Sequence, residues 1–426
     1  MTLNELIEVV NGKCNIDSDK RIKSIKTDSR KIEKGDVFIA IRGDKYDGHE
    51  FVYEALKKGA ITCITEEFIS DLFIEVDSTI EALSDIANYI RNKYDIPLIA
   101  ITGSNGKTTL KDLIYEILST KYNVLKNEGS KNNIIGVSNT LFKLNDNYDI
   151  IVMEFGTNHL GEINKLSLMC NPNVGIITNI GTAHIGYFKS KKNIFREKIS
   201  ILDGMNSKKL IVNGDDKYLR RLECYKCGKN RNNDLKAYNI ESYIDYISFN
   251  IYLDKEYKVV FNNPGVHFVN NILLAIKIGI DYGIDINEII EVIKNYKLTE
   301  KRMNIEKINN NILINDCYNS SLESISAGID YLSSITEDKV LIIGDILELG
   351  KYSKSIHKKI NKKLKKVNNK EVFTIGKYSK YIKGLNFNNV DDFIEYINNN
   401  KINNKYIYIK GSRKINLDKI VEYIKK

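Results

Sequence analysis

The chain has 426 residues, of which 42% are hydrophobic, 28% charged and 9% aromatic. This composition is typical of folded water-soluble proteins, and it excludes collagen-like and disordered classes. No apolar run approaches the roughly 20 residues that a membrane helix needs. At about 150 residues per domain, the length predicts roughly three domains.

The net charge of +9 arises from 64 Lys and Arg against 55 Asp and Glu, and such an excess favours anionic partners in general. The lysines are scattered through Asn- and Ile-rich sequence, which we interpret as compositional bias. We therefore expect no nucleic-acid partner and no membrane insertion. Residues 1–10 lack the basic flank of a signal peptide, and six cysteines in so long a chain are typical of reduced thiols, so we expect a cytoplasmic protein.

Short strands and helices alternate in the first 95 residues, with strands predicted at 37–41 and 61–64 and helices at 50–58 and 79–91. A longer alternation of apolar strands and amphipathic helices follows, which is the pattern of a mostly parallel α/β sheet. The predicted buried strands of this part cover 98–102, 150–155, 174–179, 210–213, 312–315, 340–343, 372–375 and 406–409.

Two further features divide the chain. An Asn-rich stretch at 230–263 predicts antiparallel strands, and a helix predicted at 286–296 precedes a break near 299–302. We therefore predict an α/β protein of three domains, which cover residues 1–95, 96–300 and 301–426.

Glycine and polar residues follow seven of the predicted strands. In open α/β sheets, ligands bind beyond the carboxyl ends of the strands. Any single strand-to-helix loop is polar, but seven together favour a site, and two such blocks facing each other predict a cleft between domains. These loops cover 103–108, 156–159, 181–184, 214–216, 316–319, 344–345 and 411–412.

The loop at 103–108 (GSNGKT) lies between a predicted strand and an amphipathic helix. Its glycines allow the backbone N–H groups to surround an anion, Lys107 suits the β- and γ-phosphates, and the Thr108 hydroxyl suits Mg²⁺. The usual spacing places the first glycine where Ile101 stands, and here Gly103 takes its place. An ordinary turn is the alternative, but the strand–loop–helix context favours a nucleotide triphosphate.

Two residues at later strand ends are candidate metal ligands. Glu154 directly follows an apolar strand and offers the oxygen ligands that Mg²⁺ prefers, although a helix cap is the alternative. His184 is the best candidate for a second metal ion, although a lone histidine is more often structural. The pair Cys224 and Cys227 has no second pair or histidine at zinc spacing, so a metal or redox role is not expected.

Several separate motifs together resemble the Mur ligases, the ATP-dependent amide-forming enzymes of peptidoglycan precursor synthesis. They are TGSNGKT at 102–108, the strand end at Glu154, GTAH at 181–184 and PGVH at 264–267. Within the family, the chain is most similar to the MurF type, which adds D-alanyl-D-alanine. That similarity lies in TDSR at 27–30, KGDVFIAIRG at 34–43, DGH at 47–49, GSKNNIIG at 129–136, MEFGTNHLGEI at 153–163 and GDILELG at 344–350.

The resemblance implies a small N-terminal uridine-binding domain, a central ATP-binding domain of the P-loop type and a Rossmann-like C-terminal domain. It implies that the cofactors are ATP and two Mg²⁺ ions, with Lys198 carbamylated to position the second ion. The substrate-binding positions that it implies are Thr27, Ser29, Arg30, Arg42, Gly43, Asp47, His49, Asn132 and Asn133. The ATP-binding positions are Gly103, Ser104, Asn105, Gly106, Lys107, Thr108, Thr109, His267, Asn271, Arg302, Asp316, Tyr318 and Asn319.

The chain departs from the family pattern at three places. Residues 315–322 are NDCYNSSL where the family usually has DDxYNANP, Ser130 stands where Asn is common, and Ser138 stands where Pro is common. We expect these differences to change individual contacts and to leave the reaction unchanged.

The activity implied is ligation of D-alanyl-D-alanine to UDP-N-acetylmuramoyl-tripeptide through an acyl phosphate, with Lys107, Glu154, His184 and Lys198 as the catalytic set in a monomer. One alternative is the MurE type, which adds a diamino acid and for which a GDRD-like stretch is expected in place of 344–350. A folylpolyglutamate synthase is disfavoured by the uridine-domain motifs. The alternative from another class is a basic P-loop protein that binds nucleic acid and uses ATP as a switch.

Overall fold

The structure is a computed structural model that describes residues 1–43, 46–298 and 301–426. These residues form an α/β fold with three sheets, which confirms the predicted fold class. The predicted break near 299–302, and with it the boundary at residue 300, falls partly on residues outside the described ranges.

The N-terminal sheet has four parallel strands in the order β1-β2-β3-β4. Leu6, Ile39 and Leu83 are fully buried between this sheet and its helices. The strands are β1 Ile25–Lys26, β2 Val37–Ile39, β3 Thr62–Thr65 and β4 Ile74–Glu75, and the helices are α1 Leu3–Val9, α2 Val52–Lys57 and α3 Thr79–Asn92. The start of the helix predicted at 50–58 is a 3₁₀ turn, Gly48–Phe51, and α2 follows it.

The central sheet has nine strands in the order β13-β12-β11-β10-β9-β8-β5-β7-β6. They are β5 Leu98–Thr102, β6 Val124–Lys126, β7 Ile150–Glu154, β8 Val174–Ile177, β9 Lys209–Asn213, β10 Tyr225–Gly228, β11 Leu235–Ser242, β12 Ile247–Tyr252 and β13 Glu256–Phe261. Neighbouring strands are parallel across the part of the sheet with the spatial order β11-β10-β9-β8-β5-β7-β6. The remaining neighbours, β11 with β12 and β12 with β13, are antiparallel. The antiparallel prediction is therefore confirmed, except that β11 also pairs in parallel with β10.

Helices cover both faces of the central sheet. They are α4 Lys107–Leu118, α5 Ile134–Leu141, α6 Glu162–Cys170, α7 Ile185–Phe188, α8 Lys191–Ile199, α9 Phe268–Asp281 and α10 Ile286–Asn295. The predicted apolar face of α4 is buried, including Leu110, Ile114 and Ile117. This face packs against α9, so the helix that starts at the GKT sequence is anchored in the core.

The C-terminal sheet has six strands in the order β14-β15-β19-β16-β17-β18, all parallel except for β14. Its strands are β14 Asn304–Ile308, β15 Asn311–Asn315, β16 Lys339–Gly344, β17 Lys370–Ile375, β18 Leu385–Phe387 and β19 Tyr406–Lys410. Its helices are α11 Leu322–Leu332, α12 Ser353–Leu364, α13 Val390–Asn399 and α14 Asp418–Lys425.

The strand order of the central sheet determines where a ligand can bind. β5 lies between β7 and β8, because the chain moves from β5 to one side of the sheet and later returns to the other. A crevice opens beyond the carboxyl end of the strand at such a switch point. The loops after β5, β7 and β8 therefore converge, and they carry Lys107, Glu154 and His184.

Candidate active site

A cleft of about 520 Å³ lies between the central and C-terminal sheets. The loops after β5, β7 and β8 line one side, and residues after β15 and β19 line the other. The predicted cleft between two α/β blocks is therefore present. Predicted site residues that line it are Ser104, Asn105, Gly106, Lys107, Thr108, Thr109, Asn132, Glu154, His184, His267, Asn271, Arg302, Asp316, Tyr318 and Asn319.

Two glycines allow the loop after β5 to turn tightly. Gly103 has φ +148°, and a Cβ there would lie 1.8 Å from the Thr178 hydroxyl. Gly106 has φ +82° and caps α4, and a Cβ there would lie 2.7 Å from the Asn271 amide nitrogen. That amide donates a 3.0 Å hydrogen bond to the Gly106 carbonyl. Asn271, which the resemblance implies as an ATP-binding position, therefore contacts this loop directly.

The start of α4 presents unpaired donors to the cleft. Within the described residues, the N–H groups of Lys107, Thr108 and Thr109 have no hydrogen-bond acceptor. The Lys107 amine donates to the Gly103 carbonyl at 3.0 Å, so it is held across the loop. Burial and the nearby Arg302 lower the pKa of Lys107, while Glu154 opposes them. A helix N-terminus with an adjacent lysine is a site for a polyphosphate.

Glu154 is buried, and both of its carboxylate oxygens are bound. Thr108 donates its hydroxyl to Oε2 at 2.7 Å, and the Asn132 amide donates to Oε1 at 2.6 Å. Arg302 donates to the Thr108 hydroxyl at 3.1 Å from the C-terminal side. The two predicted magnesium ligands, Thr108 and Glu154, are therefore in contact, and Glu154 is not merely a helix cap.

The oxygen donors here fit Mg²⁺ only together with ligands from elsewhere. No group of three or more His, Cys, Asp or Glu side chains among the described residues is arranged to hold a metal ion. Mg²⁺ characteristically uses one or two protein oxygens and completes its shell with water and nucleotide phosphates. The Thr108–Glu154 pair fits that pattern.

His184 lines the same cleft in a left-handed conformation, with φ 58°, at the start of α7. Its Nδ1 contacts the carboxylate of Glu348, and the neighbouring His184 lowers the pKa of Glu348. We call residues 1–95, 96–298 and 301–426 the N-terminal, central and C-terminal units. The GDILELG stretch of the C-terminal unit thus contacts the central unit at His184. In this arrangement Nδ1 faces a carboxylate.

Lys198 lies behind the cleft on α8 and is 4% exposed. Within the described residues, its amine has no hydrogen-bond or ion-pair partner. Burial holds the pKa of Lys198 well below its usual value, and the positive charge of Lys107 lowers it further. The neighbouring Glu197 accepts hydrogen bonds from the backbone of Gly161 at 2.6 Å and Ile163 at 2.8 Å, which fixes α8 to the loop after β7.

The C-terminal unit contributes a second charged network. Arg302 lies over the Tyr318 ring, with its guanidinium carbon 4.1 Å from the ring centre. Asp316 binds the Lys410 amine at 2.6 Å, and Lys410 also donates to the Asn319 carbonyl at 3.0 Å. All five residues line the cleft, so the residues that the resemblance implies for ATP on this side do lie together.

The other predicted positions lie outside the cleft lining. Lys198 and Gly103 lie behind it, and Asn133 caps α5 through the Gly136 N–H. The seven N-terminal positions Thr27, Ser29, Arg30, Arg42, Gly43, Asp47 and His49 all belong to the N-terminal unit, away from the lining.

Two contacts organise the N-terminal positions. Thr27 accepts a 3.1 Å hydrogen bond from Asn139 of the central unit. His49 receives the Glu66 N–H on Nε2 at 2.9 Å, so its Nδ1 donates to Asp47 at 2.6 Å. Their uridine-binding role stays a prediction.

Sequence reasoning missed the residues that brace Glu154. The Asn127 side chain accepts from the Glu154 N–H at 2.9 Å and donates to its carbonyl at 3.0 Å. Lys111, fully buried, donates to the carbonyls of Asn127 at 2.7 Å and Gly129 at 3.1 Å. The only sequence signal was a lysine one turn after Lys107 on a helix whose neighbouring positions are apolar.

Sequence reasoning also missed the hydrogen bonds between the central and C-terminal units. The Ser321 hydroxyl donates to the Asn105 side chain at 2.8 Å, and Glu323 accepts from both the backbone and hydroxyl of Thr182, at 3.0 and 2.7 Å. These bonds close the C-terminal unit over the loops after β5 and β8.

The pair Cys224 and Cys227 lies at and before the strand β10. Cys227 is buried in β10 and Cys224 half-buried beside it, and burial raises the pKa of both thiols. Neither thiol has the depressed pKa that marks a reactive cysteine.

Two family models match the chain. They are the Mur ligase middle domain, over residues 101–279, and the Mur ligase family catalytic domain, over residues 21–91. The UDP-N-acetylmuramoyl-tripeptide–D-alanyl-D-alanine ligase of Bacillus subtilis (strain 168) is 32% identical over 85% of this chain and 81% of its own length. The ligase of the same name from Buchnera aphidicola subsp. Baizongia pistaciae (strain Bp) is 34% identical over 95% of this chain and 93% of its own.

Solved structures agree. MurF from Acinetobacter baumannii has a TM-score of 0.91 at 27% identity and covers 100% of this chain and 99% of its own. A UDP-N-acetylmuramoyl-L-alanyl-D-glutamate–2,6-diaminopimelate ligase has a TM-score of 0.59 at 14% identity, over 95% of this chain and 93% of its own. That second likeness shows the fold alone.

Replacing Lys111 by Met tests the bracing of Glu154. The change keeps the side chain long but removes the donor from the buried Asn127 carbonyl and from the Gly129 carbonyl, so the free energy of unfolding should fall by about 2 kcal/mol. Affinity for ATP–Mg²⁺ should fall by roughly tenfold, about 1.4 kcal/mol, as the loop that carries Asn132 loosens. Denaturant titration and calorimetry measure the two effects.

Lys126→Met is the matched control. Lys126 pairs with Asp112 at 2.9 Å, close to Lys111, but donates to neither carbonyl. It should change the free energy of unfolding by less than about 1 kcal/mol and leave nucleotide affinity unchanged. Equal nucleotide affinity in both variants would contradict the bracing role of Lys111.

Proposed function

Because the chain belongs to the Mur ligase family, we propose that it joins D-alanyl-D-alanine to UDP-N-acetylmuramoyl-tripeptide with the energy of ATP, in peptidoglycan precursor synthesis. Relatives whose names state this activity cover most of the chain at about 30% identity. The observation that carries the proposal is the meeting of Lys107, Thr108 and Glu154 with Arg302 of the facing unit in one cleft.

In the first step, a carboxylate oxygen of the tripeptide attacks the γ-phosphorus of ATP, an O–P bond forms, and the bond to ADP breaks. Negative charge spreads over the phosphoryl oxygens, and catalysis depends on positioning and on neutralising that charge. The N–H groups at the start of α4 and the Lys107 amine provide this from the central unit. Arg302 provides it from the C-terminal unit, and its stacking on Tyr318 holds the guanidinium in place.

In the second step, the amine of D-alanyl-D-alanine attacks the acyl carbon, and phosphate leaves once the tetrahedral intermediate collapses. Both reactants must be held together while water is excluded. The hydrogen bonds from Ser321 to Asn105 and from Thr182 to Glu323 hold the two units around the cleft. We therefore assign residues 301–426 to a domain that closes over residues 96–300, with residues 1–95 as a third domain.

Two magnesium ions fit the donor set if Lys198 is modified. Mg²⁺ bound here would screen the phosphate charge and polarise the transferred group. Thr108 and Glu154 would hold the first ion, and His184 with a carbamate on Lys198 would hold the second. Because Nδ1 of His184 contacts Glu348, Nε2 is the ring nitrogen that would bind the ion.

Carbamylation suits the surroundings of Lys198. Carbon dioxide adds only to a neutral amine, and burial beside Lys107 lowers the pKa of this amine and so favours its neutral form. The nitrogen forms a bond to carbon and loses a proton, so the product is an anionic oxygen ligand. A carbamate at Lys198 would supply an anionic oxygen ligand near the positive charge of Lys107.

The N-terminal unit is proposed to hold the uridine nucleotide, through Thr27, Ser29, Arg30, Arg42, Gly43, Asp47 and His49. Arg42 is fixed by Asp47 and Glu67, at 2.9 and 2.8 Å, so its position does not depend on a ligand. Asn132 lines the cleft, and Asn133 caps α5, the helix that packs against α3 of that unit. The support is the family resemblance together with the substrate named for the relatives.

A direct assay tests the activity. Purified protein receives ATP, Mg²⁺ and either UDP-N-acetylmuramoyl-tripeptide or the corresponding dipeptide precursor, with D-alanyl-D-alanine, D-alanine, lysine or diaminopimelate as acceptor, and phosphate and ligated product are measured. We expect ligated product when the tripeptide nucleotide is supplied with D-alanyl-D-alanine, and none with the other acceptors. Product with a diamino acid, from the corresponding dipeptide precursor, would instead support the MurE-type alternative.

Replacing Lys107 by Ala should lower kcat by about a thousandfold, because a positioned charge on the transferred phosphoryl group is lost. Thermal unfolding should stay close to that of the parent protein, since within the described ranges the amine donates one hydrogen bond, to the Gly103 carbonyl. Lys165→Ala, at an exposed position on α6, is the control and should keep full activity. Substantial activity in the Lys107 variant would remove the phosphate-loop assignment.

The carbamate has its own test. With ¹³C-bicarbonate, the wild-type protein should show a carbamate resonance that Lys198→Ala lacks. Lys198→Ala should lose activity, and short carboxylates should restore part of it by supplying the missing oxygen ligand. A wild-type spectrum without the resonance, in protein that is active, would exclude the modification.

A further inference from the structure

The positive charge of this protein is concentrated in one segment. Residues 351–383 contain 12 of the 64 Lys and Arg and one of the 55 Asp and Glu, so the rest of the chain is slightly acidic. The interpretation of the lysines as scattered compositional bias is therefore wrong for this segment. Compositional bias alone would spread the excess over the whole chain.

The fold gathers these lysines on one face of the C-terminal unit. Ile356 and Ile360 bury the inner side of α12, so the lysines lie on its outer side. The loop after β17 packs beside this helix, because the Asn361 amide donates to the Tyr381 carbonyl at 2.9 Å and its oxygen accepts from the Lys383 N–H at 2.7 Å. The basic face consists of Lys354, Lys358, Lys359, Lys362, Lys365, Lys366, Lys377, Lys380 and Lys383, all exposed.

None of these nine lysines forms an ion pair with a described residue. Lys363, on the inner side of the same helix, pairs with Asp330 at 2.7 Å, which shows how the segment's other lysines could have been neutralised. Helix α12 has 12 residues and is therefore about 18 Å long, so the like charges along it and on the adjacent loop repel one another. An external anionic partner would relieve that repulsion.

We propose that the basic face of α12 and the 377–383 loop binds anionic lipid headgroups at a membrane surface, as a peripheral electrostatic contact. Clusters of four to eight lysines on an amphipathic helix are typical of such contacts. The apolar side of α12 is buried in the domain, so the helix cannot insert. No helix in the described parts of the chain is long and apolar enough to span a bilayer.

The same observations argue against nucleic acid. All 12 basic residues of the segment are lysines, whereas nucleic-acid phosphates are commonly bound by arginine forks. The aromatic rings that base stacking requires are covered, since Lys354 and Lys380 lie over Tyr381 and Lys377 lies over Tyr378. A single-stranded nucleic acid is typically bound in a groove, whereas the outward face of a helix suits a broad surface such as a membrane.

Vesicle sedimentation tests the proposal. The full chain is mixed with vesicles of phosphatidylcholine alone, or of phosphatidylcholine and phosphatidylglycerol at 3:1, at low and at high salt. We expect binding only to the anionic vesicles, and release at high salt because the charges are exposed. Binding to neutral vesicles, or binding that resists salt, would overturn it.

Paired variants locate the contact. Replacing Lys358, Lys362, Lys365 and Lys380 together by Gln should lower vesicle binding by more than about tenfold, while ligase activity in solution stays unchanged. The control replaces four exposed lysines elsewhere, Lys217, Lys236, Lys258 and Lys307, by Gln.

The control makes the same change in net charge and should retain most of the binding. Equal loss in both variants would show that only net charge matters and would overturn the assignment of this face. Tighter binding of the parent protein to poly(U) than to the anionic vesicles, at the same salt, would assign the face to nucleic acid instead.

Discussion

The buried carboxylate of Glu154 is the constraint on which the rest of the site depends. A charge removed from water is strongly destabilising unless hydrogen bonds and opposite charges replace its hydration. Thr108 and Asn132 each satisfy one oxygen, and Asn127 fixes the backbone on both sides of the carboxylate. The loops after β5, β6 and β7 must therefore keep one geometry for these hydrogen bonds to Glu154 to persist, and that geometry also positions the loop at 103–108.

The C-terminal unit completes the same network. Arg302 reaches the Thr108 hydroxyl, so the cation proposed to face the transferred phosphate also touches the residue that contacts Glu154. Ser321 and Glu323 close the opposite side of the cleft on Asn105 and Thr182. The proposed active arrangement is thus shared between the central and C-terminal units, and a motion that separates them would remove Arg302 from Thr108.

The sequence predicted the parts of this protein that follow from local pattern. The strand at Leu98–Thr102 and the buried face of α4 were confirmed because apolar periodicity determines them. Lys198 was not identifiable by such reasoning, since nothing in its neighbours marks it as buried; only the family resemblance pointed to it. Asn127 and Lys111 were missed because their partners are backbone atoms of other segments, which no side-chain pattern shows.

The basic face was missed for a different reason. The total charge averages over the chain, and the proximity of the 377–383 loop to α12 depends on the hydrogen bonds of Asn361.

In the cleft, by contrast, two lysines repel each other inside the protein rather than at its surface. Lys107 and Lys198 are close enough for one to lower the pKa of the other, which as two cations is a repulsion inside the protein. A carbamate on Lys198 would reverse the sign of that interaction, so the modification that supplies a metal ligand would also stabilise the positive charge on Lys107 that the phosphoryl transfer requires.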